Sequence, residues 1–287
     1  MLCLGEVLWD AVPDGLRLGG APLNVAYHLA RLGHPVGVVS RVGDDDLGRE
    51  ARRRLAAGGV EAGHLQTDGQ LPTGFVAVTL DADGVPSYEI AGPSAWDAID
   101  ATPEAVAAAR TSAAVVFGSL AQRDARSGRA VQALVAAAPL AVFDVNLRPP
   151  FADRAIVERS LVAADVAKLS DDELGTLGRW FGTPDAGRAG AEALAQRFGL
   201  RAVCLTRGAD GAAVWNDGDW TEHGGHPVTV RDTVGAGDAF LAGLLSGWLR
   251  GLDDPAALDG ACRLGGFVAS QAGATPAHTP DDLRRVG

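Results

Sequence analysis

Lysine is almost missing from this chain. Lys168 is the only one among 25 basic residues, and all the others are arginines. No G-x-x-x-x-G-K-[ST] phosphate loop exists, nor the glycine-rich loop and V-A-I-K lysine of protein kinases. The abundance of arginine and alanine is consistent with a coding bias. Cysteine is scarce too: Cys3, Cys204 and Cys262 are odd in number and lie among mostly apolar neighbours. They read as buried free thiols, not as a disulfide framework or a zinc site. No apolar run is long enough to span a bilayer, and no basic segment precedes a hydrophobic one at the start, so a soluble, cytoplasmic protein is expected with no membrane partner. Positive charge is outnumbered, with a net charge of −11 and a pI of about 4.9. A nucleic-acid binder usually shows a basic field, so no nucleic-acid partner is expected.

The chain has 287 residues, 47% of them hydrophobic, enough for one large α/β domain or two small ones. It is organised around Asp232-Thr233-Val234-Gly235-Ala236-Gly237-Asp238-Ala239-Phe240. Gly235 and Gly237 allow a tight turn. Phe240, Leu241, Leu244, Leu245, Trp248 and Leu249 then follow a helical spacing, and Gly251 supplies a stop. A glycine turn that opens a helix leaves backbone N–H groups unpaired, and these with the helix dipole hold an anion, often a phosphate. Asp238 at the mouth is either a charge that stabilises the helix start or a general base beside a reacting phosphate.

Along the chain, Leu2-Cys3-Leu4 and Val7-Leu8 flank Gly5-Glu6 as the start of a central strand. Asp10 follows, either a solvated turn residue or a ligand contact beyond a strand end. Gly19-Gly20-Ala21-Pro22 breaks the chain before a helix, with Asn24 just inside it as a cap or a contact. Asp44-Asp45-Asp46 reads as a solvated loop and helix start rather than a metal site, and Arg52, Arg53 and Arg54 as a solvated face. Thr73 to Leu80 alternates, Asp81 to Gly84 is a turn, and Ser87 to Ile90 returns as a hairpin. Ala114 to Phe117 is a buried strand, and Gln122 beyond it either reaches substrate or serves its loop. Ala141 to Phe143 runs into a polar rim. Arg148 on that rim suits phosphate oxygens by its planar fork, or makes an ordinary ion pair. Val166 to Leu169 ends at Ser170, which with Glu173 forms a capping-box pattern. Ala202 to Thr206 is a strand, Arg207 to Gly211 a turn, and Trp215 and Trp220 pack a hairpin. Ala256 to Ala272 is a helix whose small residues would let an adenine ring approach. Strand–helix alternation without repeat or linker predicts a mostly parallel sheet with helices on both faces.

DTVGAGDAF (232–240) resembles the C-terminal signature of the ribokinase-like, phosphofructokinase-B-type sugar kinases, and LGGAPLNVAYHLARLG (18–33) resembles the N-terminal one. The likeness covers essentially the whole chain. GEVLWD, DVNLRPP and KLSDDEL are most similar to the fructokinase branch. The resemblance implies one three-layer α/β/α domain over 1–287, with a small β-sheet lid from about 9–20 and 72–92 that closes over the sugar and forms a homodimer contact. It implies transfer of the γ-phosphoryl group of ATP to a sugar hydroxyl, most plausibly fructose to fructose 6-phosphate. Asp238 would be the base, with Gly235, Ala236 and Gly237 as the anion hole. Asp10, Gly20 and Asn24 would hold the sugar, joined on the residue reading by Arg148 and Gln122. Ser170, Thr206, Gly208 and Gly237 would meet the nucleotide, although the family has asparagine where Ser170 stands. Glu173 would help hold Mg2+ through water, and Asp232, Val234 and Gly273 a monovalent cation such as K+. Ribose, a nucleoside or 2-keto-3-deoxygluconate are the alternative acceptors, the last disfavoured by the absence of a basic residue on the lid hairpin. A non-catalytic sugar or nucleotide sensor is the reading from another class. The retention of Asp238 and both glycines argues against it.

Overall fold

The computed structural model describes residues 1–12, 15–80 and 86–286, so the hairpin turn expected at Asp81 to Gly84 lies outside the described residues. The strands are β1 (Leu2–Leu4), β2 (Leu8–Val12), β3 (Gly15–Gly19), β4 (Gly37–Gly43), β5 (Leu65–Asp68), β6 (Gly74–Leu80), β7 (Pro86–Ile90), β8 (Val115–Gly118), β9 (Ala141–Asp144), β10 (Val166–Ser170), β11 (Ala202–Thr206), β12 (Ala212–Asn216) and β13 (Asp219–His223). The helices are α1 (Ala21–Arg31), α2 (Asp46–Ala57), α3 (Pro103–Thr111), α4 (Ala125–Ala137), α5 (Arg154–Ala163), α6 (Asp171–Phe181), α7 (Gly187–Phe198), α8 (Ala236–Leu249), α9 (Asp254–Ala269) and α10 (Pro280–Arg284). The helix expected at Ala256 to Ala272 thus begins two residues earlier, behind an Asp253 cap, and ends three earlier at Ala269.

Among the described residues the large sheet has the order β13-β12-β11-β10-β9-β8-β1-β4-β5. Every pairing from β11 to β5 is parallel, and β12 and β13 close one edge antiparallel, with Trp215 opposite Trp220. The central strands are continuous apolar runs because both faces are covered. The two-residue side-chain period divides them between two cores. Cys3, Val38, Val116, Val142, Val166 and Cys204 pack toward α1, α2, α8 and α9. Leu4, Val39, Phe117, Phe143, Leu169 and Leu205 pack toward α3 to α7. The result is the three-layer α/β/α architecture.

A second sheet, of order β3-β2-β6-β7, stands apart from the first. β2 pairs antiparallel with β3 and parallel with β6, and β6 pairs antiparallel with β7, in the places expected for the lid strands. From β1 the chain crosses to β4 on one side and β8 on the other, so the strand order reverses there. Ligands of open α/β sheets bind in the crevice beyond the strand ends at such a point.

Candidate active site

Most helices here begin with a side-chain cap, as at Asp45 of α2, Asp153 of α5, Ser170 of α6 and Asp253 of α9. No side chain caps α1 or α8, which both start at the crevice, and the same holds for α7. Helix α8 begins at Gly235 with φ of 78°, and a Cβ there would stand 2.4 Å from the Ala274 Cβ. Only glycine makes that turn against that neighbour. The Ala236 N–H is committed to the Thr233 carbonyl at 3.2 Å, so anion binding falls to the N–H groups that follow it in the first turn.

Asp238 lies in that turn and is only 8% exposed. Its Oδ2 accepts from Asn24 Nδ2 at 2.8 Å, which joins the start of α8 to the start of α1. Asn24 is equally buried and is therefore neither a cap nor solvated. Burial pushes the Asp238 carboxyl above the ordinary aspartate range, against the pull of Lys168, the Asn24 hydrogen bond and Arg148. A helix N-terminus alone would have weakened Asp238 as a base; in this fold desolvation outweighs the dipole.

Three further polar side chains face this point. Glu6, just after β1, is buried and accepts from the Ala21 N–H at 3.2 Å, the first residue of α1. Burial raises its carboxyl to about 7. Asp144, at the end of β9, is 3% exposed and accepts from Lys168 Nζ at 3.1 Å. Burial opposes the Lys168 charge, but Asp144, Asp238 and Glu173 outweigh it and hold the ammonium above the ordinary lysine range. Glu6 Oε2, Asn24 Oδ1 and Asp144 Oδ2 are buried acceptors with no partner within the protein. A group of buried acceptors at a crevice suits a ligand rich in hydroxyl donors.

The other residues expected at the site lie on neighbouring elements. Asp10 on β2 is half-buried; burial lifts its carboxyl to about 6, against Arg148 and Arg17. Gly20 precedes α1 and accepts from the Asn24 N–H. Arg148 is exposed in the loop after β9, and its charge reaches Glu6, Asp10, Asp144 and Asp238. Ser170 and Glu173 form the full capping box of α6, and Glu173 Oε1 also accepts from the Leu147 N–H at 2.7 Å. Thr206 ends β11, half-buried, with exposed Gly208 two residues on.

One expectation is corrected. Gln122 is buried and faces away from the crevice: its Nε2 donates to the Gly118 carbonyl and to Ser160 Oγ, each at 2.9 Å, and its Oε1 accepts from Gln132 at 2.8 Å. The tight turn after β8 rotates it inward, and its polar atoms are committed there. Asp232 does meet Val234 and Gly273, but as an acceptor of their N–H groups at 3.0 and 2.9 Å, with Arg17 Nη1 3.5 Å from the same carboxylate.

Sequence reasoning assigned no role to Glu6 or Lys168 and placed Asp144 only on the rim. The available signal was a charged residue inside or directly after an apolar strand, where nothing but a pocket would retain it.

An open helix start that can hold phosphate, a buried carboxylate in its first turn and a ring of acceptors for hydroxyls together define a site for phosphoryl transfer to an alcohol. The pfkB family carbohydrate kinase model matches residues 13–281. The chain belongs to that family and is a carbohydrate kinase of fructokinase-like type. It is 35% identical over 257 residues to a fructokinase of Klebsiella pneumoniae, covering 85% of this chain and 82% of that one. It is 32% identical over 259 residues to an aminoimidazole riboside kinase of Salmonella typhimurium, covering 84% and 78%. Among solved structures, a fructokinase of Vibrio cholerae O395 bound to fructose, ADP and calcium superposes with a TM-score of 0.84 at 28% identity, covering 99% of this chain and 97% of that one.

Proposed function

We propose that this kinase transfers the γ-phosphoryl group of ATP to the 6-hydroxyl of fructose. The observation that carries the reading is Asp238, buried in the uncapped first turn of α8 and held by Asn24. A carboxylate so placed accepts the proton of the attacking hydroxyl while the neighbouring N–H groups stabilise the moving phosphoryl charge. In a loose transition state much of the proton transfer comes late, so fixing the position of Asp238 matters as much as its basicity. Glu6, Asp10 and Asn24 offer acceptors to the sugar hydroxyls, with Gly20 beside them, and Arg148 lies over the phosphate path. Ser170, Thr206, Gly208 and Gly237 line the nucleotide side. The likeness to fructokinases, one of them solved with fructose bound, supports fructose over a nucleoside.

Magnesium supplies charge neutralisation at the phosphates. Both Glu173 oxygens accept backbone N–H groups, at 2.7 and 2.8 Å, and each keeps a second lone pair. That donor set fits a hydrated Mg2+ held through water rather than direct ligation. A coupled ADP-release assay with fructose, ribose, 2-keto-3-deoxygluconate and a nucleoside tests the proposal. Fructose is expected to give the highest kcat/KM, and activity is expected to vanish in EDTA. A tenfold preference for another acceptor, about 1.4 kcal/mol of transition-state discrimination, overturns the choice of sugar. Full activity in EDTA overturns the metal. Activity is expected to rise with potassium through Asp232, Val234 and Gly273, and equal rates in sodium and potassium overturn that assignment alone.

The second sheet is read as a lid over the sugar, closing residues 9–20 and 72–92 above a phosphoryl acceptor that must compete with water. Leu16 on this sheet is 44% exposed. Pairing with a second copy through this sheet, which would cover that apolar side chain, is part of the proposal. A monomer by light scattering at micromolar concentration would remove the dimer and leave the chemistry standing.

A further inference from the structure

We propose that Lys168 is a positioning residue for the transfer: held beneath Gly237 by Asp144, its ammonium is the fixed positive charge set against Asp238 in the first turn of α8. This rests on Asp238 being the proton acceptor.

Composition supplies the first argument. Every other basic residue in the chain is arginine, and the one lysine is also a buried base, 6% exposed. A guanidinium is a wide planar fork, whereas an ammonium is a compact point charge. The space at this position is narrow: a Cβ on Gly237 would stand 3.0 Å from Lys168 Nζ. The ammonium therefore lies directly under the backbone that presents the anion-binding N–H groups, and Gly237 is what lets it come so close.

Charge supplies the second. The charged and titratable groups around Lys168 are Asp144 on β9, Glu173 at the start of α6, Asp238 on α8, Arg148 in the loop after β9 and Cys204, its register partner on β11. Glu6 faces Asp238 from the other side. Burial holds the Cys204 thiol protonated, and Arg148 is exposed and screened by water. Lys168 is thus the buried cation set against the buried carboxylates Glu6, Asp144 and Asp238. Without it, burial would push the Asp238 carboxyl further above the ordinary aspartate range, away from the anionic form that accepts a proton.

The bland alternative is an ion pair that ties β10 to β9. Two variants separate the readings. Asp144→Asn keeps the ammonium; Lys168→Met combined with Asp144→Asn removes both charges together and leaves no unpaired buried ion. The expected result is that both fold, judged by circular dichroism and thermal melting. The double variant should lose about 30-fold or more in kcat relative to Asp144→Asn. The acid limb of its kcat/KM–pH profile should move up by about one unit or more. A double variant within about threefold of Asp144→Asn, with an unmoved acid limb, overturns the proposal. So does a loss confined to KM for ATP, which would make Lys168 a nucleotide-binding residue. So does a double variant that cannot fold where Asp144→Asn does, which would assign the lysine to the fold. Asp238→Asn tests the underlying reading separately, because an active Asp238→Asn removes the base whatever Lys168 does.

Discussion

Asp44, Asp45 and Asp46 stand side by side in the chain, whereas Glu6, Asp144 and Asp238 are far apart in it. The fold treats the two sets in opposite ways. In the first, Asp44 and Asp46 are 71% and 98% exposed and share Arg49 at 3.1 and 2.8 Å. Asp45 caps α2 and accepts from Gly48 N, Thr73 N and Thr73 Oγ1 at 2.7, 2.8 and 2.6 Å. All three have partners. In the second set each carboxylate is buried, and two of them, Glu6 and Asp144, keep an oxygen without a partner. A run of acid in a sequence is thus a poor sign of chemistry. The better sign is a lone acid that the fold buries and does not fully satisfy.

The largest effect that can break this contrast is at Asp238. Asp238→Asn keeps the size and the helix, so the fold and ATP affinity should persist while kcat falls by about 10²–10⁴. A folded variant with kcat within about threefold of wild type would show a structural residue, and the catalytic reading of the whole glycine turn would fall with it.

Glu6 sharpens the contrast through pH. Burial holds its carboxyl at about 7 in the fold, against an ordinary value of 4.5. Between those values the folded state binds a proton that the unfolded chain does not. This contribution therefore makes stability fall as pH rises from about 4.5 to about 7, and it levels off above that. Denaturant melts of wild type and Glu6→Gln should diverge across the window by on the order of 1–3 kcal/mol, with the variant flatter. Parallel curves would mean that Glu6 ionises freely.

Asp45→Asn should cost about 1–2 kcal/mol of stability and leave kcat alone. Asparagine caps as well as aspartate does, but one of the Thr73 donors loses its acceptor. Reading the aspartate run as a solvated loop and helix start hides this cost. The Thr73 contacts are what it missed, because they come from a segment 28 residues away. The smallest effect is expected at Asp46→Asn, within about 0.5 kcal/mol, since an exposed ion pair contributes little. A clear loss of kcat there would erase the distinction between the two sets.

Much of the fold was legible because its signals are local. Ala202 to Thr206, Trp215 opposite Trp220, the Ser170–Glu173 box and the glycine turn before α8 are each contained in a few residues. The site was legible where a motif carried it, as at Asn24 and Asp238. It was illegible where meaning depends on convergence: Lys168 is one residue in an apolar strand until β9 and α8 bring two carboxylates to it. Gln122 failed for the converse reason. A polar residue after a strand end points to the crevice only if the following turn lets it, and here the turn sends it to Ser160 on α5. The Arg52–Arg54 face was only partly solvated. Arg52 donates to the Leu65 carbonyl, and Arg54 lies 4.8 Å over the Trp9 ring.

The burial of the lone lysine has a practical side as well. With Lys168 enclosed, the exterior of this protein carries guanidinium groups but no ε-amine. Acylating reagents, aldehyde crosslinkers and amine-coupled supports all require an amine they can reach. On the native chain they meet no side-chain amine, because the one lysine is 6% exposed. An adduct on the lysine therefore reports that the core around β10 has opened.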